Sequence, residues 1–139
     1  MKQLLLSLSI FTLLGTVLTV NVKAAENPEA TQDVRNATAI TILEAESDVA
    51  LLYAKGMCCA SCGIGVRKKI SKLDFVDKKR FNKGVVLDPK TQLVTIALKK
   101  GKAAVSTALA KAVEDAGFDP MHIYTLEGGK LRTKALPSK

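Results

Sequence analysis

Cysteine and histidine are scarce in this chain of 139 residues. The three cysteines all lie between Cys58 and Cys62, and His122 is the only histidine. An odd number of adjacent cysteines cannot join distant parts of a fold, so the disulfide framework of small secreted domains is excluded. A structural zinc site needs four ligands, which three adjacent thiols and one distant histidine supply poorly. Ser61 has no histidine or carboxylate placed to activate it, so a serine hydrolase is also excluded. The cysteines therefore indicate a local site.

The first 24 residues have the pattern of a signal peptide. Lys2 precedes an apolar run from Leu4 to Val20, and Val22-Lys23-Ala24 is a small-residue cleavage pattern. The run of about 17 residues is at the short limit for crossing a bilayer, so an uncleaved anchor is the alternative. No cysteine follows the run to accept a lipid. We expect an exported protein, periplasmic or secreted, that is mature from about Ala25.

Charge is distributed unevenly along the rest of the chain. Residues 25–48 contain six acidic residues against Arg35 alone, a net charge of −5, whereas residues 49–139 contain eighteen basic and seven acidic residues, a net charge of +11. An exported protein rarely meets nucleic acid, so we expect an acidic partner protein or the membrane surface instead. We interpret 25–48 as an acidic linker, with a short helix or an extra edge strand around Ala39–Leu43. Residues 129–139 are interpreted as a basic flexible tail.

Residues 49–128 alternate between strand and helix patterns. The apolar run Val49–Ala54 indicates a buried strand, and the spacing of the apolar residues after Ser61 indicates an amphipathic helix. Further segments predict a strand, a strand, a helix and a strand: 85–87, 93–98, 103–116 and 121–126. This order is the split βαβ pattern. The predicted fold class is α+β, a ferredoxin-like βαββαβ domain with two helices on one face of an antiparallel sheet.

The sequence Cys59-Ala60-Ser61-Cys62 places a C-x-x-C at the start of the predicted helix. The positive end of a helix favours the thiolate, and thiolates select soft ions such as Cu(I) and Zn(II). The spacing alone fits half a zinc site, a redox pair or a two-coordinate soft-metal site. A thioredoxin-like pair is expected beside a parallel sheet with an aromatic residue before the first cysteine, whereas Met57 and Cys58 precede it here.

The stretch Gly56-Met57-x-Cys59-x-x-Cys62 resembles the G-M-x-C-x-x-C signature of the heavy-metal-associated domain family. The segment Val113–Phe118, "VEDAGF", is similar to the end of the second helix of that family, and the predicted element order is the same. The resemblance extends over about residues 49–127. With its export signal, the chain resembles the periplasmic mercury-binding and copper-carrier members of the family.

The resemblance implies roles for individual residues. Cys59 and Cys62 would bind one soft ion at an exposed loop, with Cu(I) or Hg(II) ahead of Zn(II) or Cd(II). Gly56 and Met57 would support the loop, Met57 as a buried prop and not a ligand, and Phe118 would face the metal. The implied function is sequestration or transfer of the ion by thiolate exchange, without enzymatic activity. The alternative is a thiol–disulfide redox protein that uses the same C-x-x-C.

Two features depart from the family pattern. The connection from Phe75 to Leu93 is longer than the compact hairpin of the family, which leaves the second strand uncertain. Cys58 occupies a position that is often threonine. It is either a small replacement or a third thiolate, which would favour a trigonal site, tighter binding and sequestration, or a cluster across a metal-bridged homodimer.

A basic cluster follows the cysteines, and its members are Arg67, Lys68, Lys69 and Lys72. Such a cluster is commonly a solvated helix face. The functional alternative is docking of an acidic partner beside the metal, either a metal-transporting membrane protein or another metal-binding domain. His122 is interpreted as a half-exposed polar residue and Met121 as a core residue.

Overall fold

The structure is a computed structural model that describes residues 29–138. These residues form three helices and five strands in the order α1 (Gln32–Ala45), β1 (Val49–Lys55), α2 (Ala60–Ile70), β2 (Val85–Asp88), β3 (Leu93–Ala97), α3 (Ser106–Glu114), β4 (Asp119–Glu127) and β5 (Lys130–Ala135). One antiparallel sheet contains all five strands in the spatial order β2-β3-β1-β4-β5. From β1 to β4 the order is βαββαβ, which confirms the predicted ferredoxin-like fold.

Helices α2 and α3 cover one face of the sheet, which we call the helix-pair face. Val66 and Ile70 of α2 and Leu109 and Val113 of α3 are fully buried, because they recur at the three- and four-residue spacing that places side chains on one side of a helix. They pack against alternate strand residues, among them Ala50, Leu52, Ala54, Val94, Ile96 and Ile123. This is the larger of the two apolar clusters within residues 29–138.

Helix α1 covers the opposite face of the sheet. Ala39 is fully buried there, against a cluster formed by Leu51, Tyr53, Leu93 and Tyr124. The interpretation of residues 25–48 as a linker is therefore corrected for 32–45, where the helix alternative is the one observed. Strand β1 is buried on both faces, which is why its sequence is a continuous apolar run without the alternation of a half-exposed strand.

Arg35 joins α1 to the sheet through polar contacts. Its guanidinium is 4% exposed and lies 3.8 Å from the centre of the Tyr53 ring. Its Nε donates to the Thr91 carbonyl oxygen at 2.9 Å, Nη2 to the Ala30 carbonyl oxygen at 3.0 Å, and Nη1 to Gln32 Oε1 at 3.2 Å. A buried charge is tolerated when its donors are satisfied in this way.

The C-terminal residues form a hairpin with β4. Gly128 and Gly129 connect β4 to β5 with φ values of 57° and 75°, and Glu127 pairs with Lys130. Positive φ at both central residues is what a two-residue type I′ turn requires, and glycine adopts it without cost. The prediction of a flexible tail from 129 onward is therefore wrong for 130–135. The residue after this strand, Leu136, is buried, and its N–H donates to the Met121 carbonyl oxygen at 3.0 Å.

The long connection between α2 and β2 packs back onto the domain. Val76 is fully buried and bridges to Leu98. Gly84 has φ of 83°, and a Cβ there would lie 2.8 Å from the Asp77 carbonyl oxygen, so only glycine fits. No helix within residues 29–138 is long and apolar enough to cross a membrane. The predicted signal peptide lies outside the described residues.

Candidate metal centre

The cysteine loop, Gly56–Cys59, connects the end of β1 to the start of α2. Gly56 turns the chain with φ of 93°, and the Cys58 N–H donates to the Gly56 carbonyl oxygen at 3.0 Å. The Met57 side chain is fully buried among the residues of the helix-pair face, whereas Gly56 and Cys58 on either side are exposed. The loop is thus anchored from below at Met57 and open to solvent above.

The three sulfur atoms form a compact group, the cysteine cluster. Cys59 and Cys62 are joined as a disulfide with their Cα atoms 5.3 Å apart, Cys58 is a free exposed thiol, and the three Sγ atoms lie within 4.8 Å of one another. Thiolate–metal bonds are about 2.3 Å, so sulfurs on opposite sides of an ion are separated by about 4.6 Å. The donor set therefore fits a soft ion once the disulfide is reduced.

The start of α2 provides a favourable field for anionic sulfur. Cys59 is the N-cap residue of α2, and its Sγ accepts a hydrogen bond from the Cys62 N–H at 3.2 Å. The first turn of the helix contains no acidic residue. The partial positive charge of a helix N-terminus stabilises thiolates. Cys59 and Cys62 are thus placed where the partial charge of the helix favours negative charge on sulfur.

Phe118 reaches the cysteine loop from the segment between α3 and β4. Its ring Cδ1 is 3.6 Å from the position that a Cβ would take at Gly56, and its N–H donates to the Val113 carbonyl oxygen at 3.2 Å. The side chain is half-buried and packs against the helix-pair core. The fold therefore brings Phe118 beside the first residue of the loop, close enough that a side chain at position 56 would touch the ring.

A groove of about 610 Å³ runs beside α2. Arg67, Lys68 and Lys72 line one side, and Lys78 and Lys83 of the long connection line the other. We call this the basic groove. Lys69 is exposed but does not line it, and no acidic residue of the described part of the chain lines it. Exposed Ile64, two residues after Cys62 on α2, also lines the groove.

Lys78 and Lys83 lie outside the basic cluster that the sequence indicates on α2. Their charges were visible in the sequence, but the long connection had no assigned path. Only its packing back onto the sheet places these lysines opposite α2. Arg67 itself is half-buried, and its Nε donates to the Val85 carbonyl oxygen at 3.5 Å.

His122 lies apart from the cysteine cluster, on the sheet face covered by α1. Its ring stacks edge-on with Tyr53 and Tyr124 at centroid distances of 5.5 and 4.6 Å. Its Nε2 is buried and has no hydrogen-bond partner within the described residues. Burial lowers the pKa of His122, and the Arg35 charge lowers it further. His122 is half-buried, as interpreted from the sequence, and does not join the three cysteines. Met121, which the sequence placed in the core, is exposed and belongs to neither apolar cluster, because it lies at the irregularity where the register of β1 and β4 shifts between Tyr53 and Ala54.

The fold and the cysteine cluster together define a small soft-metal-binding domain. Residues 51–119, which include all three cysteines, match the family model of the heavy-metal-associated domain. This part of the chain belongs to that family, as its sequence resemblance implied. Domains of the family are metal-binding or chaperone modules that interact with other metal-binding domains or transporters. No curated protein matches the chain.

Proposed function

We propose that this chain is an exported protein that binds Cu(I) or Hg(II) and sequesters it or transfers it to a partner. The observation that carries the proposal is the cysteine cluster, with three sulfurs within 4.8 Å at the N-terminus of α2. Two thiolates are soft ligands, and they bind Cu(I) and Hg(II) better than metals that prefer oxygen ligands. The ion is cargo, and no bond of an organic substrate is broken, so the protein acts without catalysis.

Binding requires the reduced form of the cysteine pair. Two electrons and two protons from a thiol reductant convert the Cys59–Cys62 disulfide to two thiols, and each loses its proton when it binds the ion. Transfer then proceeds by ligand exchange. A thiolate of the partner joins the ion, a three-coordinate intermediate forms, and one of the original sulfurs leaves. The exposed position of the loop supports this step, because the partner reaches the ion without unfolding of the domain.

Cys58 provides the third thiolate in this proposal. It is exposed, it is free, and its Sγ lies in the same group of atoms as those of Cys59 and Cys62. Three thiolates around one ion slow its release and favour sequestration over delivery. The balance between the two roles therefore depends on how firmly Cys58 joins the ion.

The basic groove supports an acidic docking surface on the partner. Five basic residues line it, and Ile64, 60% exposed, adds an apolar contact near the cysteine cluster. Complementary charge steers association and fixes orientation. The partner we propose is an acidic face of another metal-binding domain or of a metal transporter.

The proposal is tested by titration of the reduced mature chain with Cu(I) and Hg(II) under anaerobic conditions, against a competing chelator. We expect one ion per chain, with Cys59→Ser abolishing tight binding and Cys58→Ser weakening it about tenfold, equivalent to about 1.4 kcal/mol. Ser61→Ala is the matched control, because Ser61 lies between the ligands and supplies no sulfur. Failure of the wild-type protein to bind either ion above chelator competition would refute the carrier function.

The disulfide itself favours a second candidate function, thiol–disulfide exchange. The free Cys58 thiol lies within 4.8 Å of both sulfurs of the Cys59–Cys62 pair, close enough to act as a resolving thiol. In this candidate function the Cys59 thiolate attacks a disulfide of a partner, which releases one partner thiolate and forms a mixed disulfide. Cys58 then attacks the Cys59 sulfur, releases the second partner thiolate and leaves a disulfide with Cys59, which a thiol reductant returns to two thiols. Repeated turnover of a protein disulfide substrate in the presence of a thiol reductant, lost in Cys59→Ser, would favour it over the carrier function.

A further inference from the structure

Gln92 holds the backbone where the chain leaves β1 for the cysteine loop. Its side chain is 5% exposed, and its backbone has φ of 58°, in the left-handed region that few residues other than glycine adopt. Its carbonyl oxygen accepts from the Ala54 N–H at 3.0 Å, and its Oε1 accepts from the Gly56 N–H at 3.1 Å. One buried residue thus satisfies two alternate N–H groups at the entrance to the loop.

The side chain of Gln92 takes the place of a missing strand carbonyl. The pairing of β1 with β3 ends at Tyr53 and Leu93, and in that register Lys90 would lie opposite Gly56. The chain instead turns back into β2, since Asp88 pairs with Leu93. No backbone of β3 is left to accept from Gly56, and the amide oxygen of Gln92 fills that position.

The turn that presents Gln92 is itself fixed by its neighbours. The Thr91 hydroxyl donates to Asp88 Oδ2 at 2.6 Å, and Arg35 Nε of α1 donates to the Thr91 carbonyl oxygen at 2.9 Å. These contacts hold the peptide just before Gln92 on both sides. The residue is therefore an ordered part of the fold that aims one polar group at the loop.

Gly56 passes this constraint on to Cys58. Gln92 holds the peptide that enters Gly56 through its N–H, and the carbonyl oxygen of Gly56, on the following peptide, accepts from the Cys58 N–H, so Gly56 is the one residue that links Gln92 to Cys58. Cys59 and Cys62 depend less on it, because α2 holds both of them directly. We propose that Gln92 is a positioning residue that keeps the Cys58 sulfur within reach of the ion held by Cys59 and Cys62. This inference rests on the proposed function and specifies how its third thiolate is controlled.

The test compares Gln92→Met, which keeps the length of the side chain and removes the acceptor, with Gln92→Glu, which keeps an acceptor oxygen. The matched control is Arg80→Met, because Arg80 also makes side-chain hydrogen bonds, to Glu46 and to the carbonyl oxygens of Ser47 and Asp48, but these lie at the end of β1 opposite to the cysteine loop. The readouts are hydrogen exchange of the Gly56 amide in the metal-free reduced chain, the thiolate-to-Hg(II) charge-transfer spectrum, and Hg(II) affinity by chelator competition.

We expect Gln92→Met to speed Gly56 exchange, to shift the Hg(II) spectrum from three thiolates toward two, and to lower affinity about tenfold, as Cys58→Ser does. Gln92→Glu keeps the three-thiolate spectrum, and Arg80→Met matches the wild type in Gly56 exchange, Hg(II) spectrum and Hg(II) affinity. In the Cys58→Ser background, Gln92→Met causes no further loss, because the two changes remove the same ligand. A wild-type protein that binds Hg(II) through two thiolates only, or a Gln92→Met variant with wild-type exchange and spectrum, overturns this inference alone. A wild-type protein that binds no Hg(II) also overturns this inference, and one that binds neither Hg(II) nor Cu(I) overturns the proposed function as well.

Discussion

Met57 anchors the cysteine loop in the core, and its replacement by alanine tests how that loop is held. The side chain is fully buried, whereas Gly56 and Cys58 beside it are exposed. Met57→Ala removes three heavy atoms, worth about 2.4 kcal/mol at about 0.8 kcal/mol for each methylene-sized group. The cavity left behind adds to this, so we expect a loss of about 3 kcal/mol in the free energy of unfolding, within the range of about 2–5 kcal/mol for buried methionine.

Met57→Leu separates support from metal ligation. Leucine keeps most of the buried volume, so the free energy of unfolding falls by less than about 1.5 kcal/mol. The methionine thioether is itself a soft ligand, so a role in coordination would cost metal affinity in both variants. Because the side chain lies among the residues of the helix-pair face, we expect Met57→Leu to bind Cu(I) and Hg(II) as the wild type does.

Urea unfolding of the metal-free chain measures the first effect, and chelator competition on the reduced chain measures the second. A loss below about 1 kcal/mol for Met57→Ala would show that the packing of Met57 does not hold the loop. A tenfold loss of affinity in Met57→Leu would show that the thioether is a ligand. The first result would refute the packing argument, and the second would refute the assignment of Met57 as a support that does not bind the metal.

Three further predictions concern the parts of the fold around the site. Arg35→Met loses three charge-assisted hydrogen bonds and a cation–π contact, so we expect about 3 kcal/mol of destabilisation in urea. Lys111→Met, which loses an exposed ion pair with Asp115 four residues along α3, should cost about 0.3–0.5 kcal/mol. Equal losses would contradict the proposed anchoring of α1. Because the pKa of His122 is lowered in the folded state, the unfolded state takes up the proton first, and stability falls as pH drops below about 6.5 by at most about 1.4 kcal/mol per pH unit. When urea unfolding is measured between pH 7.5 and 5, the free energy of unfolding should change less with pH in His122→Gln than in the wild type. An equal pH dependence would argue against the burial of this ring. Gly129→Ala places a Cβ at φ of 75°, so we expect a loss of about 1 kcal/mol in thermal or urea unfolding; an unchanged stability would show that the turn does not depend on this conformation.

The βαββαβ order was predictable because its signals are local. The apolar run of β1, the helical spacing after Ser61 and the strand composition of 93–98 each indicate an element without reference to distant residues. Helix α1 was harder to predict, because few of its residues are apolar and buried. Among its described residues only Ala39 and Arg35 are buried, and the groups that hold Arg35 lie on Thr91 and Tyr53, far along the chain.

The hairpin to β5 was missed although its signal was present. Gly-Gly between two segments of strand composition is a recognised hairpin pattern. The lysines and arginine of the last segment suggested a solvated tail instead. Such charges are also expected on an edge strand, where they oppose pairing with another chain. Composition alone does not distinguish an edge strand from a solvated tail. The Gly128–Gly129 pair is the signal that favours the hairpin.

In the candidate site, too, some features were predictable from local sequence and others were not. The C-x-x-C and its helix are adjacent in sequence, so their association was predicted, and the roles assigned to the three cysteines stay predictions. The contribution of Gln92 could not be predicted, because Gly56 and Gln92 are brought together only when β1 pairs with β3. Lys78 and Lys83 reach the basic groove only through the packing of the long connection. Tertiary contacts therefore add the residues that surround the site.

The continuous apolar sequence of β1 ties the site to the additions outside the βαββαβ core. Were the sheet covered on the helix-pair face alone, Leu51, Tyr53 and Leu93 would present an apolar surface to water. Helix α1 buries that surface, so the strand is fixed from both sides and a slip of one residue would place its side chains on the wrong faces. Because β1 leads directly into Gly56, a fixed register also fixes where the cysteine loop begins. The helix on the far side of the sheet thus contributes to the position of the sulfurs without touching them.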